Sequence, residues 1–225
     1  RWDQGRGLFL AGLLGGAYSS TVTTVVLARQ SKTGDQPATS YVGAIVAATG
    51  VMYLRLWILV ALFAPPLARE LTALFVALGL ITIATGAALV RLRPKQPDAA
   101  AMHALQERVS NPLEISSAFT FAGIFLAVMI ATRLVAERFG DTGVLVMAAV
   151  MGAADVDPFI LGLTQYVGTG VTLGTAALAV VIAAATNNVM KGVYALIFGA
   201  PRVGRLSLAI LSAIGAASLV VFLAS

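Results

Sequence analysis

Long apolar runs broken by short polar punctuation dominate the chain. Seven runs are long enough to cross the ~30 Å of a bilayer's hydrocarbon at ~1.5 Å per residue. They are Gly7–Ala28, Tyr41–Phe63, Leu71–Leu92, Leu113–Ala136, Gly143–Gln165, Thr172–Phe198 and Leu206–Ala224. They are apolar on all sides, as helices surrounded by lipid or by other helices are. Lipid cannot satisfy an open backbone, so helices are the only elements that fit. The pattern predicts an all-α polytopic membrane protein of about seven transmembrane helices.

Local signals mark some boundaries. Ser110 or Asn111 caps the fourth span, Pro112 suits its first turn, and Glu114 sits at the positive end of its dipole. Gly140-Asp141 opens the fifth. The longest polar stretch is Arg91–Asn111. Met102, Leu105 and Val109 share helical spacing there, so it reads either as a helix on the membrane surface or as a plain solvated loop. His103, inside it, reads as a surface residue.

The chain also repeats itself. Moved by 136 positions, which lays Ser19 on Asp155, it aligns without a gap. Gly16-Ala17 meets Gly152-Ala153, Ala64-Pro65 meets Ala200-Pro201, Arg69 meets Arg205, and Arg55 meets Lys191. Chance alignment of Ala and Gly explains some matches, but not the shared proline, the arginine pair or the intramembrane cation. Helices one to three then resemble helices five to seven. A shift of four spans keeps orientation, so the duplication is parallel, and the halves are expected to superpose about an axis along the membrane normal. The domain map is a single membrane domain over 1–225. Repeat half one covers 1–92 and a polar linker 93–111. Helix four with repeat half two fills 112–225. Helix four lacks a counterpart, and Arg1 stands where a Met would start a chain. The first suggests an eight-span domain whose first helix lies before Arg1, and the second a fragment or a processed chain.

Composition sharpens the exclusions. Apolar types make up 59% and charged types 11%, against ~25% charged in soluble domains, and mean hydropathy is +0.91. A soluble domain, a disordered tail and a fibrous repeat are excluded. The chain has no Cys and one His, which removes disulfides, thiolate metal sites and most His-based chemistry. The net charge of +5 does not indicate nucleic acid, because most cations stand singly at the ends of apolar runs. Arg1 and Arg6 before an apolar run resemble a signal peptide, but the run continues to Ala28 with no cleavage signal. Loop cations divide almost evenly between the two faces, so orientation stays open.

Charges at bilayer depth are costly, at roughly 2.5–3.5 kcal/mol each on insertion scales. Asp155 and Asp157 lie within the fifth span, Lys191 within the sixth and Arg55 within the second. Their charges sum to zero, and at least one carboxylate is expected to pair with Lys191 or Arg55. Pro158 should interrupt the fifth helix and free carbonyls near Ala154. At the matching repeat position the first span reads Gly15-Gly16-Ala17-Tyr18-Ser19-Ser20-Thr21-Val22-Thr23-Thr24. Two glycines weaken a helix there, and the hydroxyls supply donors and acceptors. Asn187 and Asn188 carry amides that lipid cannot satisfy, and Asn187 shares a helix face with Lys191. The alternatives are structural: a salt-bridge network locking the repeats, and hydroxyls bonded back to their own helix. No phosphate loop and no hydrolase or glycosidase constellation is present.

Five ordered motifs resemble one family: Gly16-Ala-Tyr-Ser-Ser-Thr-Val-Thr-Thr-Val-Val-Leu-Ala-Arg29, Val51-Met-Tyr-Leu-Arg55, Asn111-Pro-Leu-Glu114, Asp155-Val-Asp157 and Asn187-Asn-Val-Met-Lys191. They look like the domain of unknown function 4010, often found behind an MgtC/SapB-type membrane domain. The resemblance covers nearly the whole chain. It implies a multi-span bacterial inner-membrane protein and no particular reaction. The MgtC association hints at magnesium or virulence-related physiology by domain neighbourhood alone, and the MgtC-like portion itself is absent from this sequence.

The leading expectation is therefore transport or permeation of a small ion or polar solute through a polar site at the midplane, without catalytic residues or a cofactor. Asp155 and Asp157 would be cation or proton ligands. Ser19, Ser20, Thr21, Asn187 and Asn188 would be neutral ligands, and Lys191 and Arg55 counter-charges. The partners of this reading are the bilayer, a small cation or proton, a second copy of the chain or an MgtC-like domain, and not nucleic acid. The competing class is a non-transporting scaffold or regulator that binds a partner protein on its loops. A membrane enzyme acting on lipid is weaker, for want of a nucleophile and base.

Overall fold

The computed structural model describes residues 6–91, 115–168 and 170–224, and every regular element in them is a helix. In chain order these are α1 (Arg6–Gln30), α2 (Ala38–Phe63), α3 (Pro65–Arg91), α4 (Ile115–Ala154), α5 (Val156–Thr164), α6 (Leu173–Phe198) and α7 (Pro201–Ala224). The expected linker at 93–111 with His103, and the cap residues Ser110, Asn111, Pro112 and Glu114, lie outside the described residues.

Five helices are long and apolar enough to cross a membrane: Gly7–Gln30, Ala38–Phe63, Pro65–Val90, Leu173–Phe198 and Pro201–Ala224. The protein is a helical membrane protein. Spans four and five of the sequence pattern fall on α4 and α5 and meet at Gly140, inside α4. The 40 residues of α4 run through a kink at Gly140 (φ 58°, ψ −150°), a backbone that glycine alone tolerates easily. The fifth expected span is cut in two at Asp155.

Two sharp corners follow from proline. Pro65 opens α3 and Pro201 opens α7, each at a first-turn position where a missing N–H is harmless. The preceding helices end where proline cannot continue their hydrogen bonding. Burial separates inner from outer helices: 56% of the α2 and α6 spans is enclosed, against 28% for α3 and 22% for α7. The outer pair offers lipid a side-chain surface that includes Leu80, Ile81, Val220 and Leu223.

The chain forms two compact units. The first comprises Arg1–Leu54, Ala77–Asn111 and Asn188–Ile214. Its core gathers Leu8, Leu27 and Ala28 of α1, Tyr41, Val42 and Ile45 of α2, Ala195 of α6, and Val203 and Leu211 of α7. In lipid the hydrophobic effect no longer drives helices together, so close van der Waals packing must. Small residues supply it: a Cβ on Gly16 would stand 2.7 Å from the Ala48 backbone. The second unit comprises Arg55–Val76, Pro112–Asn187 and Gly215–Ser225. There Gly152 lies against the Ala183 backbone in the same way, and Thr132 of α4 reaches Met147 across the Gly140 kink.

Candidate functional site: two helix breaks and the cations beside them

Two helices are interrupted in mid-course. Ser19 leaves the helical conformation inside α1 (φ −156°, ψ 109°), and Asp155 does the same between α4 and α5 (φ −144°, ψ 118°). The breaks are thus 136 residues apart with nearly the same extended backbone. Roughly 16 Å of helix follows Ser19 and roughly 13 Å follows Asp155, about half a bilayer in each case.

The local chemistry explains both. Gly15-Gly16 weakens the first helix, and Ser19 then caps the next turn, its Oγ accepting from Val22 N–H at 3.3 Å. In the second, Pro158 has no N–H for the Ala154 carbonyl. Asp155 becomes the cap of α5, its Oδ1 accepting from Asp157 N–H at 3.3 Å. A break frees carbonyls as well as amides. Gly152 O, which a continuous helix would bond to residue 156, instead receives Asn187 Nδ2 at 3.1 Å. The carbonyls of Ser19 and Ser20 receive the Thr23 and Thr24 hydroxyls, both at 2.8 Å. Those two threonines spend their hydroxyl hydrogens on their own helix.

A cation stands beside each break. In the second unit Arg55 Nη2 pairs with Asp157 Oδ2 at 2.6 Å, the two side chains 26% and 25% exposed. Asp155 is exposed and caps the same helix. In the first unit Lys191 is wholly buried, and its Nζ donates to Thr49 Oγ1 at 3.2 Å, Met52 Sδ at 3.2 Å and Ser20 Oγ at 3.5 Å. Asn188 donates to Tyr53 Oη at 2.8 Å beside it. The contacts mirror one another. Arg55 of α2 reaches the break before α5, and Lys191 of α6 reaches the break in α1. Under the 136-residue shift, Arg55–Asp157 maps onto Lys191–Thr21, one residue from the observed partner Ser20.

Residues 1–199 match the family described as "Domain of unknown function (DUF4010)". The chain belongs to the DUF4010 family. It is also similar to an uncharacterized protein of Aquifex aeolicus (strain VF5), 24% identical over 196 residues, which covers 87% of this chain and 84% of that one. No solved structure matches it.

In this DUF4010 chain the nine sequence candidates fall into several roles. Arg55 and Asp157 meet. Ser19 and Asp155 are helix caps, while Ser20 and Lys191 meet. Asn187 satisfies a freed carbonyl and Asn188 a phenol. Thr21 lies in the first turn after the Ser19 break, partly buried. The buried Asn187 Oδ1 and Asn188 Oδ1 find no hydrogen-bond donor among the described residues. Among those residues no cluster of three or more His, Asp or Glu side chains is placed to hold a metal ion. Thr49, Met52 and Tyr53 were missed as site residues. They share the three-and-four spacing of one helix face, which by itself does not mark a site in a buried helix.

The capping role of Asp155 makes a measurable prediction. Asp155→Ala should destabilise the protein by ~1 kcal/mol, while Asp155→Asn, which keeps the accepting oxygen, should cost a few tenths. Thermal unfolding in detergent distinguishes them. Equal losses would show that charge, and not the cap, is what Asp155 supplies.

Proposed function

We propose that this DUF4010 chain is a multi-pass protein of the bacterial inner membrane that moves a small ion or polar solute across it. The observation that carries the reading is the matched pair of helix breaks at mid-span, each lined by polar groups. Interrupted helices concentrate backbone and side-chain ligands at a depth where lipid offers none, and non-helical backbone is tolerated there only inside protein or beside water. Asp157 and Asp155 are the cation or proton ligands, Arg55 the counter-charge that leaves when a solute enters. The reading assigns no catalytic residue and no cofactor. It includes an internal duplication, which the breaks, the Pro65 and Pro201 corners and the mirrored cation contacts support.

Purified protein in liposomes, offered a panel of alkali and divalent cations, protons and small anions, should show flux of one class. Asp157→Asn should lower that flux at least ~10-fold while the protein stays folded. No flux of any class above empty liposomes would overturn the reading.

A second reading rests on Arg55 and Asp157 being paired already: the charges lock the helices of a scaffold that binds a partner protein on its loops. There flux would be absent from the wild type too.

A further inference from the structure

Both interrupted segments turn back on themselves. In α1 a Cβ on Gly15 would meet the Thr23 side chain, 3.1 Å from its Cγ2. A helix running straight through Ser19 would hold those two residues ~12 Å apart. The direction of packing agrees. Gly12 lies against the Ala44 backbone and Gly16 against Ala48, so the arm of α1 before Ser19 runs the same way as α2. A spanning α1, joined to α2 by the short connection 31–37, would run the opposite way. Leu8 also shares one core with Leu27, Ala28 and Tyr41, which brings both ends of α1 and the start of α2 together.

The Asp155 segment does the same. Gly140 turns α4 into two antiparallel arms, 115–139 and 141–154. A Cβ on Gly143 would stand 2.8 Å from Val135 Cγ1, and Thr132 Oγ1 reaches Met147 Sδ at 3.7 Å. In that register an α5 continuing onward from Asp155 would carry Gly162 ~18 Å past Met129. Instead a Cβ on Gly162 would stand 3.4 Å from Met129 Cα. The α5 helix therefore returns beside the arm that precedes it. Tyr166, just past α5, is within electrostatic reach of Arg133, toward the Gly140 end.

We propose that α1, and the second arm of α4 with α5, are re-entrant hairpins that enter the membrane from opposite faces, with the Ser19 and Asp155 breaks as their tips. Arms of ~14–21 Å end near the middle of ~30 Å of hydrocarbon. The α6 helix sets the two faces. It begins a short connection after α5, at the base of the second hairpin, and is long enough to cross. It ends at the base of the first: a Cβ on Gly199 would stand 3.4 Å from Ala28 Cβ, and Ala200 N–H donates to Ser31 Oγ at 2.9 Å. One crossing separates the two bases, so the repeat halves are inverted and not parallel. The four-span shift of the sequence pattern counted α1 as a crossing; without it three remain, and orientation reverses. This deepens the transport reading and rests on it for its use. Non-helical backbone at such depth is tolerated only inside protein or beside water, and inverted hairpins bring a polar tip in from each face.

The chain has no cysteine, so one introduced thiol reports its own side of the membrane. Gly7→Cys, Lys32→Cys, Glu70→Cys, Asp141→Cys, Gln165→Cys and Arg202→Cys, each in the full chain, are labelled with a membrane-impermeant maleimide in spheroplasts and in inverted vesicles. Positions 7, 32 and 202 should label from one side, positions 70, 141 and 165 from the other, and all six in detergent. Thr33→Cys and Thr142→Cys replace the variants at 32 and 141 should either fail to accumulate. Positions 7 and 32 on opposite sides would overturn the first hairpin, and positions 141 and 165 on opposite sides the second. Positions 32 and 165 on the same side would overturn the inversion. Labelling needs no transport. Absent flux from the wild type would remove the transport reading and leave the hairpins standing, whereas flux with the wrong labelling pattern would remove the hairpins alone.

Discussion

Gly16→Val is expected to cost about 3 kcal/mol or more and to leave little folded protein in the membrane. The Cβ alone would stand 2.7 Å from both Cα and O of Ala48. These are backbone atoms in the middle of α2, a helix buried over more than half its span, so neither partner can yield by changing rotamer. Two helices held by close approach would have to separate, and separation forfeits the dispersion contacts that association in lipid depends on. Gly152→Val should behave the same way, since its Cβ would meet the Ala183 carbonyl and stand 2.8 Å from Ala183 Cα. Gly16→Ala and Gly152→Ala should show a smaller loss in the same direction. Gly174 is the control: nothing lies within 4 Å of its Cβ position, so Gly174→Ala should be neutral or slightly stabilising. Accumulation and thermal midpoint, read by gel filtration of detergent extracts, measure all five. A Gly16→Val protein as abundant and stable as Gly174→Ala would mean that α1 and α2 do not pack at this point.

Some of this architecture was legible without coordinates, and the reasons differ by residue. The membrane helices follow from run length and apolarity, which lipid enforces. The break near Pro158 was legible because proline removes a specific hydrogen bond. That near Ser19 was less direct: Gly15-Gly16 lowers helix stability, but only the 136-residue alignment with Asp155 singled out the position. The pairing of Arg55 with Asp157 was legible as a choice between two cations; nothing in the sequence said which cation meets the carboxylate, because that depends on how helices distant in sequence pack. The contacts of Lys191 with Thr49 and Met52 were not read at all. Thr49 and Met52 are ordinary residues for a buried helix, and only the fold shows that their acceptors face an ammonium. The start of a new span at Gly140-Asp141 was legible from the turn-and-cap signal, and the backbone leaves the helical conformation at Gly140.

The Arg55–Asp157 pair should respond to mutation as a unit. Arg55→Leu alone is expected to destabilise by ~2–3 kcal/mol. The value lies between the ~0–1 kcal/mol of exposed pairs and the ~3–5 kcal/mol lost when one partner of a buried pair is removed, because each side chain is about a quarter exposed. The loss comes less from the missing attraction than from the carboxylate left behind in poorly solvated surroundings. Asp157→Asn should cost a similar amount by leaving the guanidinium uncompensated. The double mutant, with neither charge, should recover most of the stability, so the coupling in a double-mutant cycle should be at least as large as either single loss. Asp155 provides an internal check, since the α5 cap survives in all three variants and its contribution cancels. Stability and flux then separate the roles of the pair. If the ion pair only locks helices together, the double mutant is as active as it is stable. If Asp157 receives the solute once Arg55 moves away, the double mutant folds and conducts nothing. Thermal midpoints and liposome flux on the same four proteins decide the matter. A double mutant no more stable than Arg55→Leu would sink the pairing itself, and a stable, fully active one would sink the role of Asp157 in transport.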